Sequence, residues 1–212
     1  MEVISTNIGK VQTINWKNKE VKTGFYKIPV TESIYLAKYG VIGDKVVDTK
    51  VHGGSDKACY IFSEKHYDYW KNLYPDLDWQ WGMFGENLTI SNIDESEIRI
   101  GDIYKIGNVV VQVTQPRQPC YKLGIRFKTQ NIVKQFVKYG YAGVYVRILT
   151  EGSVKIGDKM QLLEQNEKGM SLKEIFRLLY SKKEEQEIAK KAISDKLLAE
   201  SCKKDLIKHF GL

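Results

Sequence analysis

The sequence predicts a mostly β fold followed by a small all-α segment, and three observations support this fold class. Most of the chain up to about Glu164 consists of short runs in which apolar and polar residues alternate, which is typical of strands. A Gly-Asp pair after an isoleucine recurs at three turns, Gly43-Asp44, Gly101-Asp102 and Gly157-Asp158. After Glu164 the composition becomes helical. Short strands divided by such turns favour a closed or nearly closed antiparallel β-barrel over β-α-β units.

Five segments carry the strand pattern most clearly. They are residues 3–8, 11–14, 33–36, 109–113 and 144–149. Two helices are predicted to interrupt the strands. The first covers residues 63–73, where Ser63 is expected to cap the helix and Tyr67 and Trp70 recur at helical spacing. The second is shorter and lies within residues 131–139.

The change of composition divides the chain into a barrel domain, residues 1–164, and a C-terminal helical domain, residues 165–212. Ser171 and Glu174 form a capping box that predicts a helix start. Two further helices are predicted within residues 184–191 and 195–210, with a break near Ser194 or Ser201. Because so short a segment cannot hold a large core, we expect it to pack as a three-helix unit or against the barrel.

Composition and charge exclude some classes of protein. With 42% hydrophobic and 28% charged residues the chain is typical of a soluble globular protein, and its net charge of +7 suits an anionic ligand or a lysine-rich surface. Basic and acidic residues are interspersed, which disfavours nucleic-acid binding. The first ten residues do not form a signal peptide, and no apolar run is long enough to cross a membrane. We therefore expect a cytoplasmic protein without a membrane partner.

The segment with the most chemistry is residues 113–120, Val-Thr-Gln-Pro-Arg-Gln-Pro-Cys, called the cysteine segment below. Its two prolines stiffen the backbone just after a strand, so that the thiol of Cys120 is held in one direction. Arg117 and Lys122 add fixed positive charge, which favours the thiolate, the form that attacks electrophiles and binds soft metals. The alternative is a buried structural cysteine at a strand end.

Three other clusters carry polar groups near glycines. Lys22 and Thr23 precede Gly24 and could hold a phosphate, although a turn with a solvated lysine also explains them. His52 precedes paired glycines that let a ligand approach the backbone, and Asn87 lies in a second glycine-bracketed loop. Ordinary turn residues are the alternative for both.

Cys120 is accompanied by Cys59 and Cys202 at wide spacing, without a Cys-x-x-Cys pair for zinc, an iron–sulfur cluster or a dithiol switch. If the protein performs redox chemistry, its electrons must therefore come from outside the chain.

Taken in order, these segments resemble the YiiM-type branch of the MOSC domain family, named for molybdenum cofactor sulfurase C-terminal domains. The resemblance covers about residues 20–163, and its most specific motif is Gln-Pro-Arg-Gln-Pro-Cys at 115–120. The motifs that carry it are Lys22-Thr23 with Lys27, Gly43-Asp44, Asp48, His52-Gly53-Gly54 with Asp56-Lys57-Ala58, Gly85-Glu86-Asn87-Leu88-Thr89, and the cysteine segment with Lys122. The helical tail is similar to the three-helix domain that follows MOSC in this branch.

The resemblance implies a MOSC-type β-barrel that binds the molybdenum cofactor, with Cys120 as catalytic residue and thiolate ligand to the metal. The cofactor-binding residues that it implies are Lys22, Thr23, His52, Asp56, Asn87, Arg117 and Lys122. Relatives of this type reduce N-hydroxylated compounds such as 6-hydroxylaminopurine and remove the oxygen as water. Since the chain has no flavin or iron–sulfur motif, the resemblance implies a separate electron-donor reductase as partner.

A second interpretation stays open: the protein carries the cofactor, or a persulfide on Cys120, and hands it on without turnover. The sequence also departs from the family at two places. Gly143-Val144-Tyr145 replaces a segment that often contains Gly-Trp-Tyr, and Ile28 stands where many relatives are basic. These departures concern the edge of the site and the substrate preference rather than the cysteine.

Overall fold

The computed structural model describes residues 1–45 and 54–212. Asp48 and His52, both named above, lie outside the described residues. The strands are β1 (Val3–Gly9), β2 (Gln12–Trp16), β3 (Lys19–Thr23), β4 (Lys27–Val30), β5 (Ile34–Ala37), β6 (Gly40–Val41), β7 (Cys59–Ser63), β8 (Leu88–Ile90), β9 (Ile103–Ile106), β10 (Val109–Pro116), β11 (Val144–Thr150), β12 (Gly152–Val154) and β13 (Met160–Glu164). The α-helices are α1 (Tyr67–Leu73), α2 (Tyr121–Arg126), α3 (Asn131–Tyr139), α4 (Leu172–Leu178), α5 (Gln186–Ser194) and α6 (Glu200–Phe210), with 3-10 helices at Ser55–Lys57, Glu64–His66 and Lys183–Glu185.

Eight strands form the main sheet in the order β13-β9-β10-β11-β7-β8-β1-β4. Two smaller sheets, β12-β5-β6 and β2-β3, complete the β structure of the described residues. All strand pairs are antiparallel except β7 and β8, which run parallel because a crossover containing α1 joins them. The mostly β prediction is confirmed, and the five predicted strands are present.

The predicted closed antiparallel barrel is not found in the described chain. The main sheet has two edges, β13 and β4, and no continuous ladder joins them. The start of the chain nevertheless approaches β13 through an isolated bridge between Glu2 and Lys159. Backbone bonds run from the N–H of Val3 to the carbonyl of Asp158 at 2.9 Å, from the N–H of Gly157 to the carbonyl of Val3 at 2.9 Å, and from the N–H of Met160 to the carbonyl of Met1 at 3.1 Å. The alternation of apolar and polar residues predicts which residues form strands. Closure of a barrel depends on which strands pair with each other, and the alternation does not specify that pairing.

The three Gly-Asp turns share one backbone geometry. Their glycines all have positive φ angles: Gly43 86°, Gly101 91° and Gly157 89°. A residue with a side chain rarely adopts this left-handed region, which explains the glycines. Asp102 and Asp158 each accept a bond from the backbone N–H three residues earlier, at 2.8 and 2.9 Å. Asp44 instead accepts a bond from the N–H of Gly9 on β1 at 2.7 Å, which directs its carboxylate away from its own turn.

The first predicted helix begins differently from the prediction. Residues Glu64–His66 form a 3-10 turn, and α1 begins only at Tyr67. The hydroxyl of Ser63 makes no capping bond and lies buried without a hydrogen-bond partner, so the predicted serine cap is wrong. The second predicted helix is confirmed as α3, which ends at Gly140 with a φ of 81°.

The C-terminal helices pack against the main sheet. The capping box at the start of α4 is confirmed, because Ser171 Oγ accepts the N–H of Glu174 and the Glu174 carboxylate accepts the N–H of Ser171. The apolar faces of α4, α5 and α6 belong to the same buried cluster as the sheet residues. The members of that cluster on the helices include Leu172, Ile175, Ala189, Ala192, Cys202 and Leu206. The hydrophobic core is therefore continuous across the predicted boundary at residues 164 and 165, which itself stays a prediction.

A buried carboxylate, Glu95, holds the chain just before β11. Its two oxygens accept the N–H groups of Ala142 and Gly143 at 2.8 and 2.9 Å. Burial raises the pKa of Glu95 to about 7. His66 Nε2 lies 3.9 Å from this carboxylate, and burial lowers the pKa of His66 to about 4. At slightly acidic pH both side chains are therefore uncharged in the folded protein.

Glu95→Gln tests this protonation state. Because the folded-state pKa of Glu95 lies above the ordinary value of 4.5, the folded protein binds the proton more tightly than the unfolded chain. The stability of the wild type relative to the variant is therefore greatest below pH 4.5 and decreases as the pH rises to about 7. Urea unfolding of both proteins across this range measures the difference. Glu97→Gln, at an exposed glutamate of the same loop, serves as control, and a pH-independent difference for Glu95→Gln would contradict the assignment.

Candidate active site

The cysteine segment forms one wall of an open cleft of about 720 Å³, measured out to bulk solvent. Five residues predicted from the sequence line this cleft: Thr23, Asn87, Arg117, Cys120 and Lys122. Two others, Lys22 and Asp56, do not line it, and His52 falls in the part of the chain that is not described. The structure thus brings together residues that are up to about a hundred positions apart in the sequence.

Cys120 lies between the end of β10 and the start of α2. Its backbone is extended, with φ −129° and ψ 172°, and its side chain is partly exposed. Cys59 and Cys202 are both completely buried. The helix α2 was not predicted, and its first residue, Tyr121, stacks on Trp16 of β2 with ring centroids 4.8 Å apart. The β2–β3 hairpin therefore packs beside the cysteine.

Lys22 and Thr23, which are adjacent in the sequence, lie on opposite faces of strand β3. Thr23 is buried and its hydroxyl accepts the N–H of Phe25 at 3.1 Å, whereas Lys22 is exposed and pairs with Thr13 in the hairpin. Successive side chains of a strand point to opposite faces. A cofactor role for Thr23 is consistent with its place at the cleft, whereas Lys22 lies on the other face.

Asp56 lies behind the cleft wall. Its carboxylate is 3.0 Å from Arg147 Nη2, and its backbone carbonyl accepts the hydroxyl of Thr114 at 2.6 Å. These contacts anchor the turn that carries Lys57 into the cleft. The predicted cofactor role of Asp56 stays a prediction: the residue does not line the cleft, and its contacts support the lysine next to it.

Arg117 is the most unusual side chain of the cleft. It is only 4% exposed, and no described carboxylate forms an ion pair with it. The carbon of its guanidinium lies 5.6 Å from the ring centre of Phe25, 5.7 Å from that of Tyr60 and 5.4 Å from that of Phe136. Its Nη1 is buried without a hydrogen-bond partner. Buried polar groups are normally satisfied, so an unpaired guanidinium at a cleft indicates a site for an anion.

Lys27, Asp44 and Asn87 form a network in the lining of the cleft. Lys27 is buried and forms an ion pair with the Asp44 carboxylate, which also accepts the Asn87 amide at 3.0 Å. The Asn87 oxygen accepts the N–H of Tyr60 at 3.2 Å. The amide of Asn87 is therefore engaged within the protein, and the residue shapes the wall. Lys27 and Asp44 belong to the motifs quoted above, but their partnership could not be read from the sequence.

The described lining is cationic and aromatic. Its charged side chains are five cations, Lys27, Lys45, Lys57, Arg117 and Lys122, and one carboxylate, that of Asp44. Its aromatic side chains are Phe25, Tyr39, Tyr60, Phe84 and Tyr145. Burial lowers the pKa of Lys57 and raises that of Tyr145 to about 12. A positive cleft with flat apolar walls suits an anionic ligand that contains a planar ring system.

Sequence reasoning missed the aromatic walls, because Phe25, Tyr60 and Tyr145 look like ordinary strand and loop residues until the chain folds. The two departures from the family pattern can now be placed. Val144 is fully buried and pairs with Ile61 in the sheet, and Ile28 is exposed outside the cleft. Tyr145, which follows Val144, is the residue of that region that lines the cleft.

Residues 1–45 and 54–212 contain no cluster of three or more His, Cys, Asp or Glu side chains that could hold a metal ion. In the same ranges no helix is long and apolar enough to cross a membrane.

The chain belongs to the MOSC domain family, whose pattern matches residues 48–161, a span that contains much of the cleft and Cys120. Comparison with solved structures places it among the YiiM-type members. YiiM from Geobacillus stearothermophilus has a TM-score of 0.82 and 30% identity over 99% of this chain and 98% of that one.

Three relatives in sequence agree with this assignment. YflK from Bacillus subtilis (strain 168) is 35% identical over 97% of this chain and 93% of its own length. The protein YiiM from Escherichia coli (strain K12) is 33% identical over 66% of this chain and 63% of its own length. A protein named Reductase from Gibberella moniliformis (strain M3125 / FGSC 7600) is 35% identical over 69% of this chain, but the match spans only 26% of that protein.

Cys120 is predicted to be the thiol that reacts in the folded protein. Because Cys59 and Cys202 are fully buried, and burial raises the pKa of each to about 12, iodoacetamide should modify the native protein at Cys120 alone. Intact-mass and peptide mass spectrometry would locate the label. Native Cys120→Ser protein should stay unlabelled and take up two labels in denaturant. Labelling of either buried cysteine at a rate comparable to that of Cys120 would refute this prediction.

Arg117→Met should separate ligand binding from stability. The buried guanidinium has no counter-charge among the described residues, so we expect its replacement by an apolar side chain to leave the free energy of unfolding unchanged or to raise it by about 1–4 kcal/mol. Binding of inorganic phosphate, measured by calorimetry, should be lost. Arg177→Met, at an exposed arginine paired with Glu185, should leave phosphate binding intact. Equal phosphate binding by the wild type and Arg117→Met would show that Arg117 holds no anion.

Proposed function

We propose that this protein is a molybdenum-cofactor-dependent reductase of N-hydroxylated compounds, with hydroxylaminopurine-type base analogues as the substrate class. The overall reaction is R–NHOH + 2 e⁻ + 2 H⁺ → R–NH₂ + H₂O. The observation that carries the proposal is the combination of a partly exposed Cys120 and an unpaired, buried Arg117 guanidinium in one cationic, aromatic-walled cleft.

The residues of the cleft fit the cofactor. A pterin cofactor contributes an anionic phosphate and a flat ring system, and it brings two sulfur ligands to its metal. Cys120 would add one soft thiolate. Arg117 Nη1 would donate to an anionic oxygen, and the aromatic rings would cover the pterin faces. When bound, the cofactor would supply the two-electron redox centre at which the N–O bond is cleaved.

The remaining residues of the cleft would bind and orient the ligand. Lys27, Lys57 and Lys122 bring positive charge to the ligand, and the Asp44–Asn87 contact fixes part of the cleft lining. Tyr145 lines the same cleft, and burial raises its pKa to about 12, so its hydroxyl keeps the proton at neutral pH. Because a hydroxyl of such high pKa is a weak acid, we assign to it a hydrogen bond to the departing oxygen, with the two protons of the reaction supplied by water.

The name of one relative supports a reductase activity, but no relative identifies the substrate. The Gibberella protein named Reductase is similar to 69% of this chain, and its match covers about a quarter of that longer protein. The present sequence has no flavin or iron–sulfur motif, so two electrons per turnover must come from a separate electron-donor protein. We place this reaction in the cytoplasm, where such donors operate.

The test is production of the protein in a host that makes the molybdenum cofactor, followed by elemental analysis and an assay with 6-hydroxylaminopurine and a chemically reduced dye. The wild type should contain about one molybdenum per chain and form the amine. Cys120→Ser should lose both, because it lacks the thiolate. Lys19→Ala, at an exposed lysine of the β2–β3 hairpin, should retain both.

Unchanged metal content and turnover in Cys120→Ser would end the proposal. A wild-type protein that binds molybdenum without turnover, or that carries a persulfide on Cys120 by mass spectrometry, would support the carrier interpretation instead.

A further inference from the structure

Helix α6 and the residue before it contact the cysteine segment directly. Three hydrogen bonds join them: Ala199 N–H to the Thr114 carbonyl at 3.1 Å, Ser201 Oγ to Gln115 Oε1 at 2.8 Å, and Gln118 Nε2 to Asp205 Oδ2 at 2.7 Å. The bonds fall on both sides of Arg117 and end two residues before Cys120. The C-terminal helix therefore lies against the back of the segment that carries the thiol.

The cysteine segment depends on such contacts, because its backbone cannot be held by strand pairing alone. Pro116 and Pro119 have no N–H to donate. The pairing of β10 with β11 is also irregular between Val113 and Gln115, where the register shifts. Gln115 is only 1% exposed, so its amide oxygen needs an internal donor, and Ser201 is that donor.

The same end of α6 is linked to the turn that carries Lys57. Arg147 joins the two, since its Nη2 donates to the carbonyl of Leu197 at 3.1 Å and lies 3.0 Å from Asp56. Among the charges that act on Lys57, Asp205 has the largest effect in raising its pKa, against the lowering caused by burial. Two parts of the cleft lining, the cysteine segment and the lysine turn, therefore share one support.

We propose that Ser201 and Asp205 are positioning residues, which hold the cysteine segment in the conformation that presents Cys120 to the cleft. Helix α6 thus supports the candidate site directly. The effect on the cysteine follows from the contacts alone, whereas an effect on catalysis rests on the proposed function.

The test measures the alkylation rate of Cys120 in the native protein, together with hydrogen exchange of the cysteine segment and the thermal midpoint. Ser201→Ala and Asp205→Ala should each accelerate hydrogen exchange of the segment about fivefold, the shift in opening equilibrium expected from the loss of one hydrogen bond. The alkylation rate of the partly exposed Cys120 should rise in the same two variants, because the segment no longer holds the thiol in one conformation. Asp205→Asn keeps an oxygen that accepts from Gln118 and should restore the wild-type rate.

Glu200→Ala is the matched control, because Glu200 lies on the same helix, is exposed and pairs only with Lys203 one turn away. It should leave the alkylation rate unchanged. Equal rates for Ser201→Ala, Asp205→Ala and this control, with all three proteins folded, would overturn the positioning role. So would an Asp205→Asn rate equal to that of Asp205→Ala.

Alkylation requires neither cofactor nor substrate, so the two proposals fail separately. A cofactor-loaded protein that reduces no N-hydroxylated compound would refute the proposed function. Fast alkylation of Ser201→Ala would still establish the positioning role in that case.

Discussion

The Arg117 guanidinium, buried without a counter-charge among the described residues, is the constraint on which the cleft depends. Removing a charge from water costs several kcal/mol, and a carboxylate partner usually offsets that cost. Here the faces of Phe25, Tyr60 and Phe136 surround Arg117, and its Nη1 keeps an unused donor. Cation–π contacts offset only part of the cost, about 1–2 kcal/mol when desolvated. A bound anion would offset the rest of this cost, so the buried guanidinium favours binding of an anionic ligand in the cleft.

The interior carboxylates are arranged so that they do not cancel this charge. Glu86 accepts the N–H groups of Gly82 and Phe84 and the hydroxyl of Thr89, and burial raises its pKa. Glu95 is likewise engaged with backbone N–H groups near β11. Both carboxylates hold loops in place and are satisfied within the protein. The cations are thereby left to face the cleft, with Asp44 as the one acidic group in its described lining.

The cleft also depends on elements beyond the span matched by the MOSC family. The helices after residue 164 share the hydrophobic core with the sheet, and α6 supports the cysteine segment from behind. Phe176 of α4 joins the aromatic cluster that contains Phe136 and Tyr60. The sheet and the tail thus share one hydrophobic core, and the match to YiiM from Geobacillus stearothermophilus covers 99% of this chain, with the tail included.

Several features were readable from the sequence because short-range physics determines them. The alternation of β10 and β11, the capping box at Ser171 and the positive φ angles of the Gly-Asp turns depend only on neighbouring residues. The proline-braced motif around Cys120 is equally local, and it identified the centre of the site. The sequence alone therefore indicated five of the strands and most of the α-helices, and it singled out Cys120 as the candidate reactive residue.

Tertiary structure decided the rest. Strand pairing left the main sheet open where a closed barrel was predicted. Because side chains alternate along β3, Thr23 lies at the cleft and Lys22 lies outside it. Asp56 forms an ion pair with Arg147 and supports the turn that carries Lys57. The aromatic environment that leaves Arg117 unpaired comes from three distant segments. Such outcomes depend on contacts between residues far apart in the chain, and a local pattern cannot specify which faces meet.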